Sequence, residues 1–210
     1  MANVANAYRS KSLVYRAVED NEEDKVFLHS LLLDPQSFHQ NNYDDLLRPI
    51  NRKTSDLHLK YKEPTRLIHV LICLPANDGE ISDQDDAGSS AKQPVPIGSL
   101  NLHGVKEGQR HHRTLDIGIL IATEYQGRGY GSEAIEWILN WGFEVAGLHR
   151  IGLQSASFNT GAIKLWKKLG FQHDGNDREA VWFNGGWHDE ARFSMLESEW
   201  RAKVKLETAA

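Results

Sequence analysis

Gln126-Gly127-Arg128-Gly129-Tyr130-Gly131 sets three glycines at alternate positions between an apolar run, Leu115 to Ile121, and an amphipathic stretch, Ser132 to Ala146. A strand, a glycine turn and a helix in that order build a cradle for an anion. Glycine lets the backbone turn at positive φ and approach a ligand closely. The first N–H groups of the following helix have no intrahelical acceptor, and the helix dipole adds positive potential where they point. The chemistry offered is phosphate binding by backbone amides from Gly127 to Ser132. Arg128 either reaches a phosphate from outside or stays in solvent. A Walker A loop needs a lysine and then Ser or Thr after its last glycine, and Ser132-Glu133 stand there instead. A dinucleotide fingerprint needs G-x-G-x-x-G directly after the strand, whereas these glycines read G-x-G-x-G and begin several residues past Ile121.

Further on, Asn159 precedes a short helical pattern, Thr160 to Leu169, closed by Gly170-Phe171. Gln126-x-x-Gly129-x-Gly131, followed by Asn159, Ala162, Leu165, Lys168, Leu169, Gly170 and Phe171, resembles the GCN5-related N-acetyltransferase (GNAT) superfamily. Asp174-Gly175 and Arg178-Glu179 extend the match. Asn184 to Glu190, with Met195-Leu196, resembles the branch related to ribosomal-protein alanine acetyltransferases. The likeness is strongest from Thr114 to Trp200. It implies acetyl-coenzyme A as cosubstrate, no metal, and direct transfer of an acetyl group to a primary amine, either a small amine or a peptide or protein N-terminus. A coenzyme A-binding regulatory module without turnover is the alternative.

The resemblance also assigns roles. The strand before the glycine loop would splay from its neighbour and offer the backbone of Ile119, Leu120 and Ile121 to the pantetheine arm, with the Ile119 amide as oxyanion donor. Gln126, Gly127, Arg128, Gly129, Tyr130, Gly131 and Ser132 would hold the pyrophosphate, and Asn159 and Trp166 would flank the coenzyme. Asp116 stands near the place where some relatives carry a basic glutamate, so it is the candidate for taking a proton from the ammonium. A carboxylate at a strand start equally suits a solvated position or a pair with Arg113. Trp166 occupies the place of a tyrosine that protonates the thiolate in many relatives. Indole cannot do so at neutral pH, which leaves Tyr130, a water or an unassisted thiolate. Trp182, Trp187 and Asp189 are candidate acceptor contacts. The adjacent His111 and His112 lack the spacing of a zinc site.

The elements that must position these groups read as one mixed α/β domain, residues 12–200. A central, mostly antiparallel twisted sheet carries flanking helices. Leu13 to Val18 predicts a first strand, with Asp20 as the cap of a helix from Glu22 to Leu33 that Pro35 ends. A second helical stretch is expected from Tyr43 to Asn51. Strands follow at Arg66 to Leu74, Val95 to His103 and Arg150 to Ser157, and Asn184-Gly185 predicts a hairpin between Ala180 to Phe183 and His188 to Leu196. Residues 1–11 read as a flexible start, 201–210 as a tail, and the acidic stretch 75–94 as a mobile loop.

Bulk composition excludes several classes. The chain has 210 residues, 40% of them hydrophobic, enough for one packed core. A formal charge of −5 gives no cationic surplus for a nucleic-acid backbone and mildly favours a cationic amine. A single cysteine, Cys73, excludes an intrachain disulfide and implies a reducing compartment, the cytoplasm. No apolar run is long enough to span a bilayer, so no membrane partner is expected.

Overall fold

The computed structural model describes residues 6–35, 48–76 and 93–209. A seven-stranded sheet in the order β1-β2-β3-β4-β5-β7-β6 organises them. The strands are β1 (Val14–Ala17), β2 (Arg66–Leu74), β3 (Val95–His103), β4 (Thr114–Ile121), β5 (Arg150–Ala156), β6 (Gln172–Phe183) and β7 (Gly186–Leu196). Every neighbouring pair is antiparallel except β4 with β5. The helices are α1 (Glu22–Leu33), α2 (Arg52–Lys62), α3 (Tyr130–Asn140), α4 (Thr160–Leu169) and α5 (Glu197–Ala209).

Strand alternation divides the apolar residues between two faces. In β2, Val70 and Ile72 join the main core with Ile135, Ile138, Phe143 and Ile151, whereas Leu71 and Cys73 meet Leu28 and Leu31 of α1 on the other side. Helix α3 presents Ala134, Ile135, Trp137, Ile138 and Leu139 to the sheet and passes into a π-helical turn, Trp141–Val145. That turn lets Gly142 pack directly on β5: a Cβ there would lie 2.6 Å from Ile151 Cδ1. Gly147, at φ +64, ends the segment as expected.

Several sequence expectations shift. Helix α1 has the expected limits, but its cap is Asn21, which accepts from the Asp24 amide at 2.8 Å, while Asp20 pairs with Lys25. Residues 48–51 are not helical, and the rest of the stretch proposed from Tyr43 lies outside the described residues. The neighbouring helix is α2, which begins at Arg52. Most of the acidic stretch 75–94 also lies outside them. Residues 201–209 of the expected tail are helical, the end of α5, and mostly exposed, while Trp200 ahead of them is buried with its ring 5.4 Å from that of Phe143. Near the start, Ala7 accepts from the Trp137 indole at 3.0 Å, and Ser10 and Ser12 donate to Glu133, tying residues 7–12 to the first two turns of α3. Asn184 (φ +48) and Gly185 (φ +79) make the expected hairpin turn, between strands longer than the sequence suggested.

Candidate active site

The site begins where β4 and β5 part. Their parallel register covers Thr114↔Arg150, Leu115↔Ile151 and Asp116↔Gly152 and ends there, although both strands continue. Backbone groups along a strand alternate in direction. Ala122 donates to Ile97 at 2.9 Å, and so the even-numbered residues of β4 face β3. Arg113 accepts from His149 at 2.8 Å, and so the odd-numbered residues face β5. Past the last pair, Ile119 and Ile121 therefore turn their backbone groups into the gap. Gln126 Nε2 donates to the Ile121 carbonyl at 2.9 Å, tying the start of the glycine loop to this edge. The Leu120 backbone belongs to the ladder opposite Ser99, and its side chain borders the cleft.

The glycine loop has the conformation its residues require. Gly127 and Gly129 lie at φ +73 and +89, in the left-handed region, and Gly129 caps α3. The helix starts at Tyr130, two residues earlier than expected, so the amides of Tyr130, Gly131 and Ser132 form its first turn and lack intrahelical acceptors. A Cβ on Gly127 or Gly129 would meet nothing within 4 Å. The requirement there is backbone conformation and an open approach. Arg128 is exposed, its guanidinium 5.6 Å from the Tyr125 ring centre.

Across the gap, Asn159 Oδ1 accepts from the Ala162 amide at 3.1 Å and caps α4. Trp166 is buried edge-on against Phe171. Its Nε1 and the hydroxyl of Ser155 on β5 are buried without a hydrogen-bond partner. Both residues border a cavity of about 400 Å³ that also takes in Asp116, Ile119, Leu120 and Asn159. An orphaned donor in a buried position costs roughly 1–3 kcal/mol, so two polar groups at the wall of the gap fit a polar, amide-bearing ligand lying along it. Together with the β4 edge that β5 leaves uncovered and the helix start, they suit an elongated polar ligand with an anionic end.

Asp116 reaches the cavity because its neighbour on β5 has no side chain. A Cβ at Gly152 would lie 2.5 Å from Asp116 Oδ1. The alternative pairing with Arg113 is not formed: that guanidinium donates to the Gly147 carbonyl at 3.2 Å. Tyr130 packs partly against the main core and is not among the residues bordering the cavity. Trp182 and Trp187 stack edge to face at 5.2 Å but stay 59% and 58% exposed on the β6–β7 hairpin, away from the cavity. Asp189 accepts from the Glu179 amide at 2.9 Å, and its neighbour Glu190 is the hairpin residue that borders the cavity. His111 and His112 lie on a one-turn 3₁₀ helix with their rings 4.0 Å apart, both exposed.

One part of the wall escaped the sequence reading. Arg66 Nη1 donates to Glu63 Oε2 at 3.2 Å and to His69 Nδ1 at 2.9 Å, and His69 Nε2 lies 3.0 Å from Ser99 Oγ. Because arginine only donates, His69 Nδ1 carries no proton, and its Nε2–H donates to Ser99. Burial, reinforced by the Arg66 charge, pushes the His69 pKa down to about 4 against the opposing pull of Glu63, so the ring is neutral near pH 7. A register shift between Arg66 and Ile68 brings Arg66 and His69, three residues apart, to one wall, and no period-2 pattern in the sequence signals it.

Comparison with known proteins agrees with this geometry. A family profile described as an acetyltransferase (GNAT) domain matches residues 13–172. A spermidine N(1)-acetyltransferase of Vibrio cholerae is 34% identical over 89 residues, 42% of this chain and 51% of that protein. A Bacillus subtilis protein named "Putative ribosomal N-acetyltransferase YdaF" is 28% identical over 106 residues, 50% of this chain and 56% of that protein. The matches thus span about half the length of these curated relatives. A crystal structure of spermidine N-acetyltransferase from Vibrio cholerae with CoA and spermine superposes with a TM-score of 0.70 at 22% identity, covering 90% of this chain and 98% of that one, a likeness of fold. No helix among the described residues is long and apolar enough to cross a membrane.

Proposed function

The chain belongs to the GNAT acetyltransferase family, and from that premise we propose that it is an N-acetyltransferase using acetyl-coenzyme A and a primary amine, either a small amine or a peptide or protein N-terminus. The observation that carries this reading is the end of β4–β5 pairing at Asp116↔Gly152, which leaves Ile119 and Ile121 facing an open gap beside the first turn of α3. Acetyl-coenzyme A, when bound, supplies an acetyl group on a thioester that an amine nitrogen attacks directly.

The residues then divide the work. Amides from Gly127 to Ser132 hold the pyrophosphate, as an anion is held at any open helix start. The Ile119 N–H stabilises negative charge developing on the acyl oxygen, and Ile121 and the Leu120 side chain border the arm. Asp116 takes the proton that the ammonium must lose before it can attack. Asn159 braces α4 beside the coenzyme, and Trp166 forms the wall with its indole N–H towards an acceptor. Since indole cannot protonate a thiolate, the leaving group takes its proton from Tyr130 at the start of α3 or from water, or departs as the thiolate.

A cytoplasmic place of action belongs to the same proposal. Its support is the lone thiol, Cys73, fully buried and pushed up to a pKa of about 11 by that burial. Neither nucleic acid nor membrane is needed as a direct partner. The testing experiment follows thiol release from acetyl-coenzyme A with a panel of amines and identifies the acetylated product by mass. Release above the uncatalysed rate with one acetyl added per amine supports the proposal. Tight coenzyme binding without release overturns it in favour of a regulatory module.

A further inference from the structure

Arg66 and Asp116 stand on one wall of the same cavity. The registers Arg66↔His103 and His103↔Asp116 put them in a single cross-strand row. Two strand spacings separate their backbones by about 10 Å. One end of the cavity is therefore cationic, with Arg66 and the partly buried Lys62, and the other end carries Asp116 and Glu190.

The cationic end is incompletely compensated. The Arg66 side chain is only 9% exposed, yet its carboxylate partner Glu63 is 63% exposed and engages Nη1 alone. Among the described residues, Arg66 Nε and Nη2 have no hydrogen-bond partner, and Lys62 has no carboxylate within ion-pair distance. His69 adds no charge there, because it accepts from Arg66 through an unprotonated nitrogen. A buried guanidinium is stable only when paired, and its planar fork suits two parallel bonds to a carboxylate. A polyamine would instead press further ammonium groups against Arg66 and Lys62.

We infer that the acceptor is a small amine bearing a carboxylate, which Arg66 grips with help from Lys62 while the amine turns towards Asp116. The placing of the amine rests on the acetyltransferase reading, whereas the carboxylate subsite stands on Arg66 and its surroundings alone.

The test measures binding and transfer separately. Glycine, β-alanine, γ-aminobutyrate and ε-aminocaproate, each beside its carboxamide, and spermidine are titrated calorimetrically into the full chain with and without coenzyme A. The same amines are then assayed for acetyl transfer. The best carboxylate should bind at least about tenfold more tightly than its carboxamide, the scale of a hydrogen bond to a charged group. In Arg66→Gln the two should come within about twofold, and Arg66→Lys should keep part of the preference. Coenzyme-induced stabilisation of each variant reports folding, and if Arg66→Gln does not fold, Lys62→Gln must lower the preference in its place. Carboxamides or spermidine binding as well as the carboxylates, a preference that survives Arg66→Gln, or no binding by any probe would overturn the inference. A carboxylate preference that Arg66 controls, without transfer to any amine, would uphold the subsite and defeat the acetyltransferase reading. Transfer with no such preference would do the reverse.

Discussion

The Asp116 carboxylate occupies the space that a side chain at position 152 would fill, its Oδ1 lying 2.5 Å from where a Gly152 Cβ would stand. Gly152→Ala must therefore move the carboxylate. Gly152 is not among the positive-φ glycines, so the smaller unfolded-state entropy of alanine, about 0.4–1 kcal/mol, offsets much of the crowding. We expect near-native thermal stability with kcat lowered at least about tenfold. Asp116→Asn should lower it by roughly 10²–10⁴, the usual share of a positioned base, with coenzyme affinity within about twofold. The double variant should be no slower than Asp116→Asn, because both changes act on one group. Additive losses in kcat would separate the two residues.

Gly129→Ala tests the loop without a clash, since a Cβ there meets nothing within 4 Å. The cost comes from φ +89, which a side chain tolerates at about 1–3 kcal/mol. Relaxing that strain turns the amides from Gly127 to Ser132 away from their common direction. Coenzyme A at a hundredfold its wild-type dissociation constant should stabilise the wild type by about 2.7 kcal/mol. We expect the variant to lose most of that gain in a thermal-shift titration, and Gly129→Val to lose all of it.

These two glycines illustrate which features the residues announce. Strands β2 and β3 and helices α1 and α4 have the limits that hydrophobic period and flanking Pro, Asn and Gly imply. The glycine loop was visible because its conformation demands glycine. Helix α2 was missed because Arg52–Lys62 carries scattered polar residues, Leu57 is 45% exposed, and the buried Ser55 breaks any apolar stripe. Residue pattern announces strand β6 only near its end, and Asp174-Gly175 and Arg178-Glu179 fall on it through the family resemblance alone, because it is an exposed edge of charged residues interrupted at Gly175 and by Glu179 at φ +51. Arg66 and His69 acquire meaning only through pairing with β3 and β4. No local spacing encodes that row.

Trp166 presents a buried N–H with no acceptor. Trp166→Phe removes the donor and some of the ring, so the relief of an unsatisfied group and the loss of packing oppose each other, each about 1–3 kcal/mol. The thermal midpoint should move little. If the indole N–H finds its acceptor on the coenzyme, the variant should bind coenzyme A several-fold more weakly while kcat at saturation stays within about threefold. A kcat loss beyond tenfold would give Trp166 a part in the chemistry that an indole N–H, a donor only, does not supply as an acid.

His69 makes a prediction about pH. Its ring is held neutral at about pKa 4 by burial first and the Arg66 charge second, whereas an unfolded histidine titrates near its ordinary value of 6.5. Between those values the unfolded chain binds a proton that the folded chain refuses. Stability is therefore fully present above about pH 6.5 and declines as pH falls towards 4. Asp24, held down by Arg16 and the Glu19 amide against burial, and Glu133, held down by Ser10 and Ser12 against burial, lose their contributions only lower, as pH falls below the usual carboxylate values of 3.8 and 4.5. The interval from pH 6.5 to 4.5 lies above those two carboxylate values and within the range where His69 acts. His69→Gln keeps a donor near Ser99 and an acceptor near Arg66 but cannot take up a proton. Urea unfolding midpoints across that interval should slope upward with pH in the wild type and lie flatter in the variant. Equal slopes would mean that His69 is protonated in the folded chain, and would replace its acceptor role towards Arg66 with an ion pair to Glu63, 3.5 Å away.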